Sequence, residues 1–144
     1  MFRGRFEHTI DPKGRLSIPS RFRETLGERY ESRLVVTTYD SCLVAYPLAE
    51  WQKLEEKVAS LPEFKKDTKA FLRFFYSSAM DCPIDKLGRI LLPQTLRDYG
   101  KLEKDVILVG TFRHIEIWSK TLWDAAEAQA SQEDIVNTLE RLGL

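Results

Sequence analysis

The stretch His8–Arg23, HTIDPKGRLSIPSRFR, returns 74 residues later as Cys82–Arg97, CPIDKLGRILLPQTLR. Six positions are identical: Ile10/Ile84, Asp11/Asp85, Gly14/Gly88, Arg15/Arg89, Pro19/Pro93 and Arg23/Arg97. Leu16/Ile90, Ile18/Leu92 and Phe22/Leu96 stay apolar. A repeat of this kind outranks local propensity in deciding a fold, because it says that one unit is built twice. The correspondence runs on. Gly27 answers Gly100, and Leu34–Trp51 (LVVTTYDSCLVAYPLAEW) lines up with Val106–Trp123 (VILVGTFRHIEIWSKTLW) at an offset of 72. The two lost residues fall near turns, where chain length is free to vary.

A half of about seventy residues buries too little surface to be comfortable alone, so the two copies are expected to share one core. The spacing divides the chain into a first repeat over residues 5–51, a helical connection over 52–80, a second repeat over 81–123 and a helical tail over 124–144. The 144 residues are 43% hydrophobic with eight Phe, five Tyr and three Trp, a globular composition. Net charge is zero but polarised. Residues 1–23 carry six basic and two acidic side chains, and residues 124–144 carry one basic and five acidic. A basic head is a candidate surface for a polyanion, and equally a plain solvated face.

Each copy reads as strand, tight turn, strand and short helix. In Asp11-Pro12-Lys13-Gly14 the Asp, Pro and Gly occupy the positions a type I turn favours, with Gly free to take positive φ. The reading places strands at Arg5–Ile10 and Arg15–Ile18. Helices follow at Pro19–Leu26 and Pro93–Tyr99, each with Pro at its first position and glycine closing it. Hairpins are expected next, Leu34–Thr38 with Cys42–Tyr46 and Val106–Thr111 with His114–Trp118. A helix over Pro47–Leu61 lines up Leu48, Trp51, Leu54, Val58 and Leu61, and its counterpart starts near Ser119. Phe64–Ser77 is expected to be helical, with Phe71, Phe74 and Phe75 packing between the halves. Ser131–Leu142 makes an amphipathic helix capped by Ser131, with Ile135, Leu139 and Leu142 in register. The stripes on Pro47–Leu61 and Ser131–Leu142 suit either subunit contacts or burial within the chain.

The sequence offers little to catalysis. His8 and His114 are isolated, and no metal-binding, nucleophile-elbow or phosphate-loop motif occurs. Cys42 and Cys82 lack metal-ligand spacing and are expected to be reduced thiols. No catalytic residue, metal or cofactor is expected. The N-terminal MFRGRFEH lacks the apolar core of a signal peptide, and no apolar run reaches membrane-spanning length. A cytoplasmic protein without membrane or small-molecule partners is expected.

What remains is the repeated arginine. If the copies pack about a pseudo-twofold axis, Arg15 and Arg89 fall on one face. Arginine's planar fork suits phosphate and guanine edges, and a two-stranded element fits a major groove. Alternatively, each arginine braces its own Asp and fixes a hinge. The residues leave these two readings open.

At Asp11–Pro19 (DPKGRLSIP) the sequence resembles the looped-hinge helix of AbrB-type DNA-binding domains, which usually occur once per chain and pair as dimers. Two copies in one chain, opening Met1-Phe2-Arg3-Gly4, resemble the MraZ family of bacterial transcriptional regulators over essentially the whole length. The resemblance implies an α+β fold of tandem AbrB-like (SpoVT-AbrB) modules, swapped-hairpin and β-barrel-like with short helices, related by an internal pseudo-twofold. It implies double-stranded DNA as partner and assembly of chains into a homo-oligomeric ring of eight. The target would be short tandem G-containing repeats in the promoter of the cell-division and cell-wall gene cluster that the family's own gene heads, placing the protein at the nucleoid. The family's functional residues carry over to Asp11 and Arg15 and to Asp85 and Arg89. On this reading Arg15 and Arg89 contact base edges, while Lys13, Lys86, Arg3 and Arg5 supply charge to phosphates. Asp11, Gly14, Asp85 and Gly88 form the structural hinge. Leu87, in place of Lys13, weakens the second corner. The alternative from another class is a homo-oligomeric assembly module that binds no nucleic acid. An antitoxin-like role for the tail is disfavoured by the doubled architecture.

Overall fold

A computed structural model describes residues 1–27 and 33–144; residues 28–32, inside the first repeat, lie outside the description. The first copy contributes β1 (Arg5–Thr9), β2 (Arg15–Ser17), α1 (Ser20–Leu26), β3 (Arg33–Tyr39), β4 (Cys42–Pro47) and α2 (Leu48–Val58). After α3 (Lys66–Phe71) and a π-helical turn, Leu72–Tyr76, come β5 (Met80–Pro83), β6 (Arg89–Leu91), α4 (Gln94–Tyr99), β7 (Asp105–Thr111), β8 (His114–Ser119) and α5 (Lys120–Ala128). A tail helix, α6 (Gln132–Arg141), ends the chain.

Neither copy closes on itself. Six strands form one antiparallel sheet in the order β1-β7-β8-β4-β3-β5, so the first strand of each copy pairs with the hairpin of the other. The order is palindromic under exchange of the copies. The exchange axis is marked where a residue pairs with its own counterpart, Val44 with Glu116 between β4 and β8 and Leu16 with Ile90 between β2 and β6. The α+β tandem of AbrB-like modules is therefore a swapped pseudo-dimer within one chain.

The period-2 alternation of the hairpins explains the layering. Leu34, Val36, Leu43, Ala45, Val106, Leu108, Ile115 and Ile117 face one way and join Leu16, Ile18, Ile90, Leu92, Phe22 and Leu96 in a single buried cluster. The β2–β6 ribbon, α1 and α4 thus lie over one face of the sheet. Phe22 is gripped edge-on by Phe2 and Phe6, with ring centroids 5.6 and 5.1 Å away. On the other face α2 packs on β3 and β4, and α5 on β7 and β8. Trp51 of α2 is buried and stacks on Tyr76 at 5.7 Å. Cys42 and Cys82 are free and buried, and burial pushes the Cys82 thiol up to about 12.

Several elements differ from the sequence reading. Pro19 and Pro93 stand one residue before their helices, each in an extended conformation. Gly27 closes α1 with φ 56°, but its counterpart Gly100 stays right-handed and Lys101 takes the left-handed position at φ 52°. Gly100 sits in a tight spot instead, where a Cβ would stand 3.2 Å from Leu102 Cγ and 3.3 Å from Leu43 Cγ. α2 ends at Val58 rather than Leu61, since Pro62 disfavours helix in the residue before it. The segment expected as one helix over Phe64–Ser77 is α3 plus the π turn. There Thr37 and Thr38 of β3 donate to the carbonyls of Phe75 and Phe74 at 2.6 and 2.9 Å, holding the widened turn against the sheet. Phe71 and Phe75 stack at 5.0 Å, while Phe74 points out and is 71% exposed, contrary to the expected packing role.

Candidate nucleic-acid interface

Each repeated corner is built around its aspartate. Asp11 Oδ1 accepts the amides of Lys13 and Arg15, both at 2.9 Å. The Gly14 amide donates to the Asp11 carbonyl at 2.9 Å, and the Asp11 amide to the Arg15 carbonyl at 3.0 Å. Gly14 closes the turn at φ 90°, where a side chain would be strained. The second corner repeats this: Asp85 Oδ1 accepts from Leu87 and Arg89 at 2.9 Å, and Gly88 sits at φ 80°. Asp11 Oδ2 then accepts from Arg15 Nε at 2.5 Å, and Asp85 Oδ2 from Arg89 Nε at 3.0 Å. The Arg15 and Arg89 amides, reinforced by the guanidinium groups, hold both carboxyls below their ordinary value of 3.8, so they are anionic at neutral pH.

The two readings of the arginine are compatible in this geometry. Bracing consumes Nε, and among the described residues neither guanidinium has a second hydrogen-bonding partner. The aspartate therefore fixes the direction of the fork and leaves its terminal amino groups open.

The ribbon decides where the forks point. Its register pairs Arg15 with Leu91, Leu16 with Ile90 and Ser17 with Arg89. Leu16 and Ile90 face the core, so Arg15, Ser17, Arg89 and Leu91 share the outward face. The arginines stand on a diagonal of the ribbon, where neighbours are roughly 7–8 Å apart and their Cβ atoms somewhat closer. Lys13 and Lys86 are exposed at the turn tips beside them.

Arg3 and Arg5 are not brought to this face. Arg5 opens β1 at its far end, about 13 Å of strand from Thr9, and Arg3 precedes the strand. Arg5 is occupied there, with Nη1 2.6 Å from Glu127 Oε2 and its guanidinium carbon 5.3 Å above the Trp123 ring. His8 also has a local task, its Nδ1 meeting the Ser17 carbonyl at 2.8 Å and tying β1 to the ribbon.

Two further residues belong to the site. The Arg97 guanidinium lies across Gly14 of the other copy, with Cζ, Nε and Nη2 all 2.9–3.0 Å from where a Cβ would stand; Arg23 covers Gly88 in the same way. Nε of each donates to a backbone carbonyl, Arg97 to Leu92 at 3.0 Å and Arg23 to Ile18 at 3.1 Å. The backbone interlocks too, with Ile18 donating to Gly88 and Leu92 to Gly14. Each corner is thus clamped by an arginine of the opposite repeat. The identity of Arg23 and Arg97 in the repeat was the available signal. Their action across the axis has no signature in the sequence.

Swapped first strands, a shared ribbon and two looped hinges define a tandem AbrB-like module, a pseudo-dimer made from one chain. The family model described as "MraZ protein, putative antitoxin-like" matches residues 1–74 and again 75–144, and the chain belongs to that family. Among curated relatives it is 49% identical over 141 residues to "Transcriptional regulator MraZ" of Desulforamulus reducens, covering 96% of this chain and 97% of the relative. Proteins of the same name are similar in Pelotomaculum thermopropionicum, at 48% over all of this chain and 99% of the relative, and in Desulfitobacterium hafniense, at 50% over 95% and 98%.

Proposed function

We propose that this protein is a sequence-specific, double-stranded-DNA-binding transcriptional regulator whose reading surface is the outward face of the β2–β6 ribbon. The observation that carries this is the ribbon register, which sets Arg15 and Arg89 on one face with each Nε held by its own aspartate. Forks already oriented lose less freedom on meeting a base edge. Arg15 and Arg89 contact guanine O6 and N7 in the major groove, and Lys13 and Lys86 meet the flanking phosphates. Asp11, Gly14, Asp85 and Gly88 hold the corners, and Arg3 and Arg5 add positive potential at a distance. The names of the relatives support regulation of transcription.

The target on this reading is a set of short tandem G-containing repeats in the promoter of the cell-division and cell-wall gene cluster, the protein's own gene included. One chain offers few cations, so affinity comes from a ring of eight chains reading successive repeats. The α6 stripe of Ile135, Val136, Leu139 and Leu142 is exposed within the chain, and a second copy covers it in the ring.

Fluorescence anisotropy on the DNA upstream of the gene, against a shuffled duplex and at two salt concentrations, tests the reading. Tight, salt-steep, sequence-selective binding is expected, with Arg15→Ala losing roughly 1–3 kcal/mol. Weak binding indifferent to sequence and to Arg15 would instead favour an assembly module with purely structural hinges.

A further inference from the structure

The outward face of the ribbon breaks the symmetry that the core keeps. Arg15 stands opposite Leu91, while Arg89 stands opposite Ser17. Leu91 is 57% exposed between Ile90 and Leu92, which are both buried, so strand alternation holds it in solvent and it takes no part in the core cluster. Leu87, at the tip of the second corner and so at the Arg89 end of the ribbon, is 70% exposed. A bare leucine thus stands beside Arg15 where the twofold-related position beside Arg89 holds Ser17, and Leu87 stands at the second tip where the first holds Lys13.

Resting on the DNA-binding reading above, we infer that Leu91 is a specificity-determining residue that packs against a thymine C5-methyl group, so that the DNA word read by one chain has a direction despite the twofold fold. The thymine methyl is the apolar feature of the major-groove edge, and an apolar side chain is its natural contact. The Arg15–Leu91 end of the face therefore reads guanine beside thymine. The Arg89–Ser17 end reads guanine with a hydroxyl neighbour that accepts any base edge. A chain that reads unlike halves binds in one orientation, and copies arranged head to tail then meet direct rather than inverted repeats.

The test uses the full-length chain and a duplex enriched by it from a random-sequence library. Thymines are replaced by deoxyuridine, which deletes only the methyl, first in one half of the enriched duplex and then in the other. In one half the replacement weakens wild-type binding about four-fold, as for one buried methyl, and in the other half it has no effect. Leu91→Ser, which installs the first repeat's residue, binds the thymine duplex about four-fold less tightly and is indifferent to deoxyuridine. Leu91→Ile retains the thymine preference. Equal sensitivity of the two halves, wild-type indifference to deoxyuridine, or an undiminished thymine preference in Leu91→Ser would each overturn the inference while leaving DNA binding intact. A Leu91→Ser chain that loses its oligomeric state without losing a thymine preference would assign Leu91 to a subunit contact. Failure to enrich any duplex would remove the DNA-binding reading itself.

Discussion

The first corner, Asp11–Arg15, and the second, Asp85–Arg89, share their amide framework and differ in what they show to solvent. In both, the carboxylate accepts two amides at 2.9 Å and the glycine takes positive φ under an arginine of the other repeat. Inward residues correspond in apolar character: Leu16 with Ile90, Ile18 with Leu92, Phe22 with Leu96. Outward ones do not: Pro12 becomes Lys86, Lys13 becomes Leu87 and Ser17 becomes Leu91. Because the ribbon pairs a residue with its own counterpart, an inward change in either copy lands at the shared axis and is felt by both. The outward positions carry no such constraint, and there the two halves are free to recognise different things.

Experiments on matched residues put that contrast at risk. Leu16→Ala and Ile90→Ala each open a cavity at the axis, and each should cost about 2–5 kcal/mol in chemical denaturation; losses that differ by more than about 1 kcal/mol would break the equivalence of the inward halves. Gly14→Ala and Gly88→Ala force positive φ on a side chain and crowd Arg97 or Arg23, so each should cost about 1–3 kcal/mol. The partner arginine's removal should relieve the crowding but not the strain, which Gly14→Ala combined with Arg97→Ala would show as a partial recovery. The outward halves should behave unequally. Lys13→Leu is expected to reduce the slope of log affinity on log salt by about 1, and Leu87→Lys to raise it by about 1. Slopes that stay fixed in titrations at several salt concentrations would take Lys13 away from the phosphates.

The smallest effect is in acid. Both carboxyls titrate below 3.8 in the folded protein, so the stabilisation they give their turns is complete above that value and is lost as pH falls through the lower folded value. The carboxyl resonances of Asp11 and Asp85 should titrate with midpoints below 3.8 and in parallel with the amide shifts of Arg15 and Arg89. A midpoint at or above 3.8 in either corner would show that its turn lacks the hydrogen bonds described here.

Much of the fold was legible in the residues. The repeat, the turn at Asp11-Pro12-Lys13-Gly14, the hairpins and the Ser131 cap all rest on local chemistry, and the structure places them within a residue or two. The exposed face of α6 was half legible: periodicity gave Ile135, Leu139 and Leu142, but only packing shows that the described residues leave them exposed. The outward aim of Phe74 was not legible at all, because the π turn that sets it is held by hydroxyls of β3 some 36 residues away. In the same way, charge alone grouped Arg3 and Arg5 with Arg15. The strand direction separates them, and Glu127 with Trp123 claims Arg5.

By itself the sequence determined that this protein is one unit made twice, with a glycine-closed turn and an aspartate-braced arginine in each copy. Those features depend on contacts within five residues, where side-chain identity and φ preference leave few alternatives. Only the tertiary structure decided that the copies exchange their first strands and that Arg15 and Arg89 face outward together. It alone also set Arg23 and Arg97 to guard the opposite corners. These depend on which strand edges meet across the axis. That choice is made by burying both apolar faces in one core, a property of the assembled chain that no short stretch of it encodes.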